Sequence, residues 1–294
     1  MKTQITIHLM PYEIDWFDWQ SKQLKQCSHY LQEDDNIILD VTLNLNFVDW
    51  NNSNLPKEYF INKFNKILKD QFDWCSVISD INEDKSCNGV ADKRRHSIQT
   101  HDVDQFIYLD CDIIFPPYTL KLLLDASKQV TSEYYIISPQ IPKLWDESWD
   151  VLMNKEYKNF IWDGKTFIDP YTVITTSYGD PILTPINTFK LGGGWFNLIS
   201  ANLLKTIGIP DSLGPYGPDD TFLMYGCHFM KESKIDVQQY IIENLVVTEN
   251  LKYNTNIYTD LIVNTNDRMS FRADSEKHFH IEINKLQQKY RSSY

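Results

Sequence analysis

Short apolar-rich runs that alternate with stretches of helical period constrain this chain more than anything else in it. The runs occupy residues 4–9, 36–43, 74–79 and 106–109. Between the first two, Trp16, Trp19, Gln23, Leu24, Cys27, Tyr30 and Leu31 recur at helical spacing. Between the second and third, Phe60, Phe64, Ile67 and Leu68 share one face of a helix predicted over 56–69. Asn88-Gly89-Val90-Ala91-Asp92-Lys93-Arg94-Arg95-His96 opens another helix before the fourth run. Strands that alternate with helices in this way predict an α/β protein, with a mostly parallel central sheet and helices on both faces. Ligands of such sheets bind at the carboxyl ends of the strands. Asp80 and the pair Asp110/Asp112 fall at two of those ends.

The acidic pair follows Phe106-Ile107-Tyr108-Leu109 directly and precedes Ile113-Ile114-Phe115-Pro116-Pro117. Residues i and i+2 of an extended chain point to the same side, so both carboxylates are aimed together where a buried strand surfaces. Like charges that close repel, and each carboxylate is costly to desolvate. A divalent cation with hard oxygen ligands relieves both costs and can neutralise a diphosphate leaving group. The plainer alternative is that the pair caps the helix that Pro116-Pro117-Tyr118-Thr119 begins.

Charge narrows the partners. With 40 Asp and Glu against 28 Lys and Arg the formal net charge is -12, which disfavours non-specific nucleic-acid binding, since that normally needs a basic face. The five cysteines, at 27, 75, 87, 111 and 227, form neither a CxxC pair nor a zinc pattern, as expected in a reducing compartment. No signal peptide or membrane-length apolar stretch is recognisable, so a cytoplasmic protein is expected. The 294 residues, 42% hydrophobic and 14% aromatic, are enough for one large α/β domain, and no repeat or linker argues for two.

Further along, a helix is predicted over 117–130, a strand over 134–138, a short helix over 203–208, a helix over 219–230 and an extended segment over 237–242. Phe279, Ile283, Leu286 and Tyr290 mark a C-terminal helix. The second cluster of chemistry-bearing residues lies between these elements. It runs from Leu191-Gly192-Gly193-Gly194-Trp195-Phe196-Asn197 to Gly217-Pro218-Asp219-Asp220. Consecutive glycines let a ligand approach the backbone closely, and Trp195 and Tyr216 offer flat faces for sugar rings. Asp219-Asp220 at a helix start could hold a general base near an acceptor hydroxyl. Alternatively, Asp219 is an N-cap and the glycines form a hairpin turn.

In this order the motifs resemble those of the GT-A glycosyltransferases, particularly the inverting family-two type, over about residues 4–250. The resemblance implies a GT-A fold in one domain covering 1–294. Residues 1–115 would bind the nucleotide sugar, 116–250 would bind the acceptor, and 251–294 would be an extension carrying a helix. It implies that Pro11, Tyr12 and Glu13 begin the nucleotide pocket, that Asp80 reads the base, and that Gly89 to Arg95 lies beside the nucleotide. Asp110-Cys111-Asp112 matches the family's Asp-x-Asp metal motif. Gly193-Gly194 with Asp219-Asp220 matches its Gly-Gly and Glu-Asp acceptor region, and Gly193, Gly194 and Trp195 are expected to border the bound nucleotide sugar. The implied activity is transfer of a sugar from a UDP- or GDP-linked donor to a hydroxyl of a glycan or other acceptor, with Mn2+ or Mg2+ and with inversion.

Two departures from the pattern matter. The usual Glu-Asp is Asp-Asp here, and alignment favours Asp220 over Asp219 as base. The family's third metal ligand, commonly His, has no counterpart in Val246-Val247-Thr248-Glu249-Asn250, where Glu249 could substitute; His278 and His280 are the alternatives. Lys93, Arg94 and Arg95 could grip a diphosphate, Arg through bidentate bonds, or form a solvated face. A nucleotidyltransferase of related fold would need a Gly-rich basic loop where Pro11-Tyr12-Glu13 stands. A non-catalytic carbohydrate-binding protein would have no need of two separated acidic pairs.

Overall fold

The computed structural model describes residues 1–83, 88–140, 179–186, 196–249 and 265–291, with the backbone alone for Glu249 and 265–269. It is a mixed α/β protein built on a mostly parallel sheet. Strands β1 (Lys2–Leu9), β2 (Asn36–Asn44), β3 (Ser76–Asn82) and β4 (Gln105–Leu109) alternate with helices α1 (Ile14–Ser28), α2 (Lys57–Gln71) and α3 (Val90–Thr100). After β4 come β5 (Ile113–Ile114), α4 (Thr119–Gln129), β6 (Tyr134–Gln140), β7 (Leu183–Pro185), β8 (Phe196–Ser200), α5 (Ala201–Ile207) and α6 (Asp219–Glu232). The chain continues through β9 (Val237–Val246), β10 (Thr248–Glu249) and α7 (Thr265–Arg291).

Among the described residues, eight strands form one sheet in the order β3-β2-β1-β4-β8-β6-β9-β7. The half from β3 to β4 is parallel throughout. β8 then runs antiparallel between β4 and β6, β9 is parallel to β6, and β7 closes the edge antiparallel to β9. Nearly every residue of β1, β2 and β4 is buried, irrespective of the face it points to. The centre of the sheet is therefore covered on both sides, which is why these strands read as near-continuous apolar runs. β3, at the edge, is mostly exposed.

Aromatic side chains lock the covering helices down. Phe17 of α1 lies 6.0 Å from Phe64 of α2 and 6.0 Å from Phe72 just beyond it. Each such fully buried ring contributes roughly 1.5–3 kcal/mol by leaving water. On α7, Leu286 and Tyr290 are buried, and Phe279 meets Tyr225 of α6 edge-on at 6.0 Å. Among the described residues, no helix is long and apolar enough to cross a membrane.

Candidate active site at the carboxyl ends of the parallel strands

A cleft of about 480 Å³ opens at the carboxyl ends of β1 and β4 and extends to the start of α6, within the size range of small-molecule sites. The local structure behind each wall can be traced to particular side chains. The Asp110-Cys111-Asp112 turn is carried by α1: the Gln20 amide donates to the Asp110 carbonyl at 2.7 Å and to the Ile113 carbonyl at 3.4 Å. One turn along, Gln23 donates to the Phe115 carbonyl at 3.0 Å. Buried amides on the inner face of a helix thus satisfy loop carbonyls that would otherwise be stranded. Cys111 is buried with its thiol directed to the His8 carbonyl at 3.8 Å. The two flanking aspartates line the cleft. Burial pushes the Asp112 carboxyl above its ordinary range. A negative charge there is under-solvated, a condition a cation would relieve.

The floor is an ion pair. Arg94 of α3 donates to Asp219 of α6 at 2.8 Å, both side chains being 5% exposed, and lies 3.6 Å from the half-exposed Asp110. Its guanidinium sits over the Tyr108 ring, 4.7 Å from the centroid. Burial works against the Arg94 charge, but Asp219 and Asp110 outweigh it and hold the guanidinium above its usual range. Burial likewise pushes the Asp219 carboxyl up, and Arg94 draws it part of the way back. Asp220, next in the chain, is only partly buried and lines the cleft; its carboxylate accepts from the Thr221 N–H at 2.6 Å.

The rim depends on two close backbone approaches. A Cβ on Gly89, at the entry to α3, would stand 2.1 Å from the Pro215 carbonyl oxygen, and one on Gly217 would stand 2.3 Å from that of Leu213. The Ala91 N–H donates to the same Pro215 oxygen at 3.1 Å. Arg95 pins this loop by donating to the carbonyls of Ile209, Pro210 and Gly214 at 3.0–3.2 Å. Polar side chains link the other strand ends: the Asn44 amide lies 3.3 Å from His8 Nε2, and the Asn46 amide donates to Asn88 at 3.4 Å.

The structure therefore brings together Glu13, Arg94, Asp110, Asp112, Asp219 and Asp220 from the residues expected of a site, with Tyr216 beside them. Pro11, Tyr12 and Glu13 form a 3-10 turn at the end of β1, in which Glu13 accepts from the Met10 N–H at 2.7 Å; Pro11 and Tyr12 pack inward and do not line the cleft. Asp80 was expected to end β3, but the strand runs on to Asn82, and Asp80 is exposed and does not line the cleft. Lys93, beside Arg94 on α3, turns into the interior and pairs with Asp40 of β2.

Gly193, Gly194 and Trp195 lie outside the described residues. The backbone of Glu249 pairs with Ile113, one residue from Asp112, but its side chain is likewise outside them. His278 and His280 are exposed on α7 and do not line the cleft. Among the described residues, no group of three His, Cys, Asp or Glu side chains is arranged to hold a metal ion.

Sequence reasoning missed several lining residues. His8, Phe47 and Asn88 gave only the faint signal of standing beside strand ends or a helix start. Arg272 and Glu276, from α7, gave none.

No protein-family model matches the chain, and no curated protein matches it. Its fold does resemble solved structures. S. aureus TarS 1-349 aligns at 10% identity and a TM-score of 0.48 over 84% of this chain and 60% of that one. The same protein in complex with UDP-GlcNAc aligns at 10% identity and 0.47, over 99% and 71%. A mycobacterial protein aligns at 10% identity and 0.45, over 84% and 67%. The chain spans about 60% of the length of the first of these.

Proposed function

We propose that the chain is a GT-A-type glycosyltransferase, using a UDP- or GDP-linked sugar and a hydroxyl-bearing acceptor in this cleft. The observation that carries the reading is the convergence of Asp110 and Asp112, the Arg94–Asp219 pair and the partly exposed Asp220 on one opening at the strand ends.

Two neighbouring carboxylates, one under-solvated through burial, fit a hard divalent cation such as Mn2+ or Mg2+, which takes one or two protein carboxylates and completes its shell with water and phosphate oxygens. Asp110 and Asp112 would hold it, with Glu249 as a candidate third donor from its register beside Ile113. Bound there, the ion would supply positive charge to the departing diphosphate. The residues do the rest. Asp219 is committed to Arg94, which makes it the poorer base. Asp220 would accept the acceptor's hydroxyl proton as that oxygen bonds to the anomeric carbon. The bond from that carbon to the diphosphate oxygen breaks, and the nucleoside diphosphate leaves with the electron pair. Attack opposite the leaving group inverts the anomeric centre. Arg94, held by its two carboxylates, would present positive charge along the leaving group's path.

A screen of UDP- and GDP-sugars for Mn2+- or Mg2+-dependent release of nucleoside diphosphate tests the activity. In a responding pair, Asp220→Asn is expected to lower transfer by about 10²–10⁴-fold with donor affinity little changed. Asp219→Asn is expected to cost mainly stability, because it disturbs a buried pair. If Asp219→Asn were stable and inactive while Asp220→Asn stayed active, the assignment would be reversed.

A further inference from the structure

The C-terminal helix reaches the cleft through a face that packing fixes. Phe271 meets Phe47 edge-on at 5.9 Å, Ser275 is buried against the loop at Gly217, and Phe279 lies on Tyr225. Residues four apart in a helix share a face. The series 271, 275 and 279 therefore clamps α7 onto the body, and the neighbouring series 272 and 276 borders the cleft. Gly217 is what permits the approach: a Cβ there would stand 3.0 Å from Ser275 Oγ as well as striking the Leu213 carbonyl.

The charges on the lining make this position consequential. Among the described residues, six carboxylates, of Glu13, Asp110, Asp112, Asp219, Asp220 and Glu276, line the cleft, and two guanidinium groups, of Arg94 and Arg272, oppose them. Arg94 is buried and committed to Asp219 and Asp110. Arg272 meets Glu276 at 3.5 Å with both side chains largely exposed, at 60% and 63%. An exposed pair of this kind is worth little, so the guanidinium can change partners at little cost. A guanidinium matches two phosphate oxygens at once.

We propose that Arg272 is a donor-binding residue that leaves Glu276 to bind the diphosphate of the nucleotide sugar, with Glu276 acting as its resting partner. This rests on the glycosyltransferase reading and adds to it a contact from a helix that lies beyond the resemblance in sequence. It also gives the C-terminal helix a role in donor affinity rather than in packing alone.

Calorimetric titration of UDP, GDP and the corresponding nucleosides, with Mn2+ present, tests it. Arg272→Ala is expected to weaken binding of the favoured diphosphate about 10-fold to 100-fold, the worth of a charge-assisted hydrogen bond, and to leave nucleoside binding unchanged. Arg272→Lys should recover part of the loss, and Glu276→Gln should tighten diphosphate binding severalfold. Both side chains are exposed, so each variant should unfold at the wild-type temperature. Diphosphate binding undiminished in Arg272→Ala, in a wild type that does bind, would overturn this proposal alone. So would a loss confined to transfer, which would move Arg272 to the acceptor. A wild type that binds neither diphosphate would overturn the underlying reading with it.

Discussion

Lys93 and Arg94 are neighbours on one helix and each ends on a buried carboxylate, yet they belong to different parts of the molecule. Lys93 pairs with Asp40 in the interior, where Ser97 donates to the same carboxylate at 2.7 Å and Gln4 at 3.0 Å. That carboxylate is engaged by all three side chains and does not line the cleft at the strand ends. Arg94 pairs with Asp219 under the cleft floor, with Asp110 3.6 Å away and an aromatic ring beneath. Burial and charge are alike in the two places. What differs is whether open space adjoins the pair, and that separates an interior strut from a group that can meet a ligand. Purely structural ion pairs are also buried and perturbed, so a buried ion pair by itself is weak grounds for function.

The sharpest way to break this contrast is to remove each cation in turn. Lys93→Ala leaves Asp40 buried without its counter-charge and is expected to cost about 3–5 kcal/mol in urea unfolding, while nucleoside diphosphate affinity of the folded protein stays at wild type. Arg94→Ala strands Asp219 and should cost a similar amount, but with diphosphate binding lost as well. Equal binding losses in the two variants would erase the distinction. A smaller effect sharpens it. Gly89→Ala sets a Cβ against the Pro215 carbonyl oxygen, a backbone atom that must shift. The expected cost is about 1–3 kcal/mol. Because Pro215 lies in the loop that leads into Asp219 and Asp220 at the start of α6, transfer should fall further than stability alone accounts for, with the Lys93–Asp40 pair untouched. Unaltered activity in Gly89→Ala would mean that the loop's seat does not govern the cleft.

Much of the parallel half of the sheet was legible in the sequence, because four apolar runs separated by amphipathic helices leave few alternatives. The place of Asp110 and Asp112 beside the cleft was legible because they follow a buried strand directly, although burial leaves Asp112 under-solvated and not surfaced. Gln20 and Gln23 were signals in plain view, polar residues on a helix's inner face that the loop carbonyls at 110, 113 and 115 explain. Other features were not legible. Insertion of β8 between β4 and β6 is a pairing between distant segments that no local pattern encodes. The division of labour between Lys93 and Arg94 turns on helix phase, since successive residues point about 100° apart, and the sequence did not say which direction faced the cleft. Asp80 was misplaced by a strand end two residues too early. Arg272 lies on a helix whose contact with the loop at Gly217 exists only in three dimensions.

The central claim is that the strand-end aspartates, and not some other acidic surface of a chain with net charge -12, hold a nucleoside diphosphate through a divalent cation. Titration of UDP and GDP into wild type and Asp112→Ala, each with Mn2+ and with EDTA, tests it most directly. Asp112 is under-solvated when charged, so the variant should fold at least as well as wild type. At least one diphosphate is expected to bind wild type only when Mn2+ is present, and that binding is expected to vanish in Asp112→Ala. Binding of equal strength in the variant, or binding indifferent to Mn2+, would contradict it.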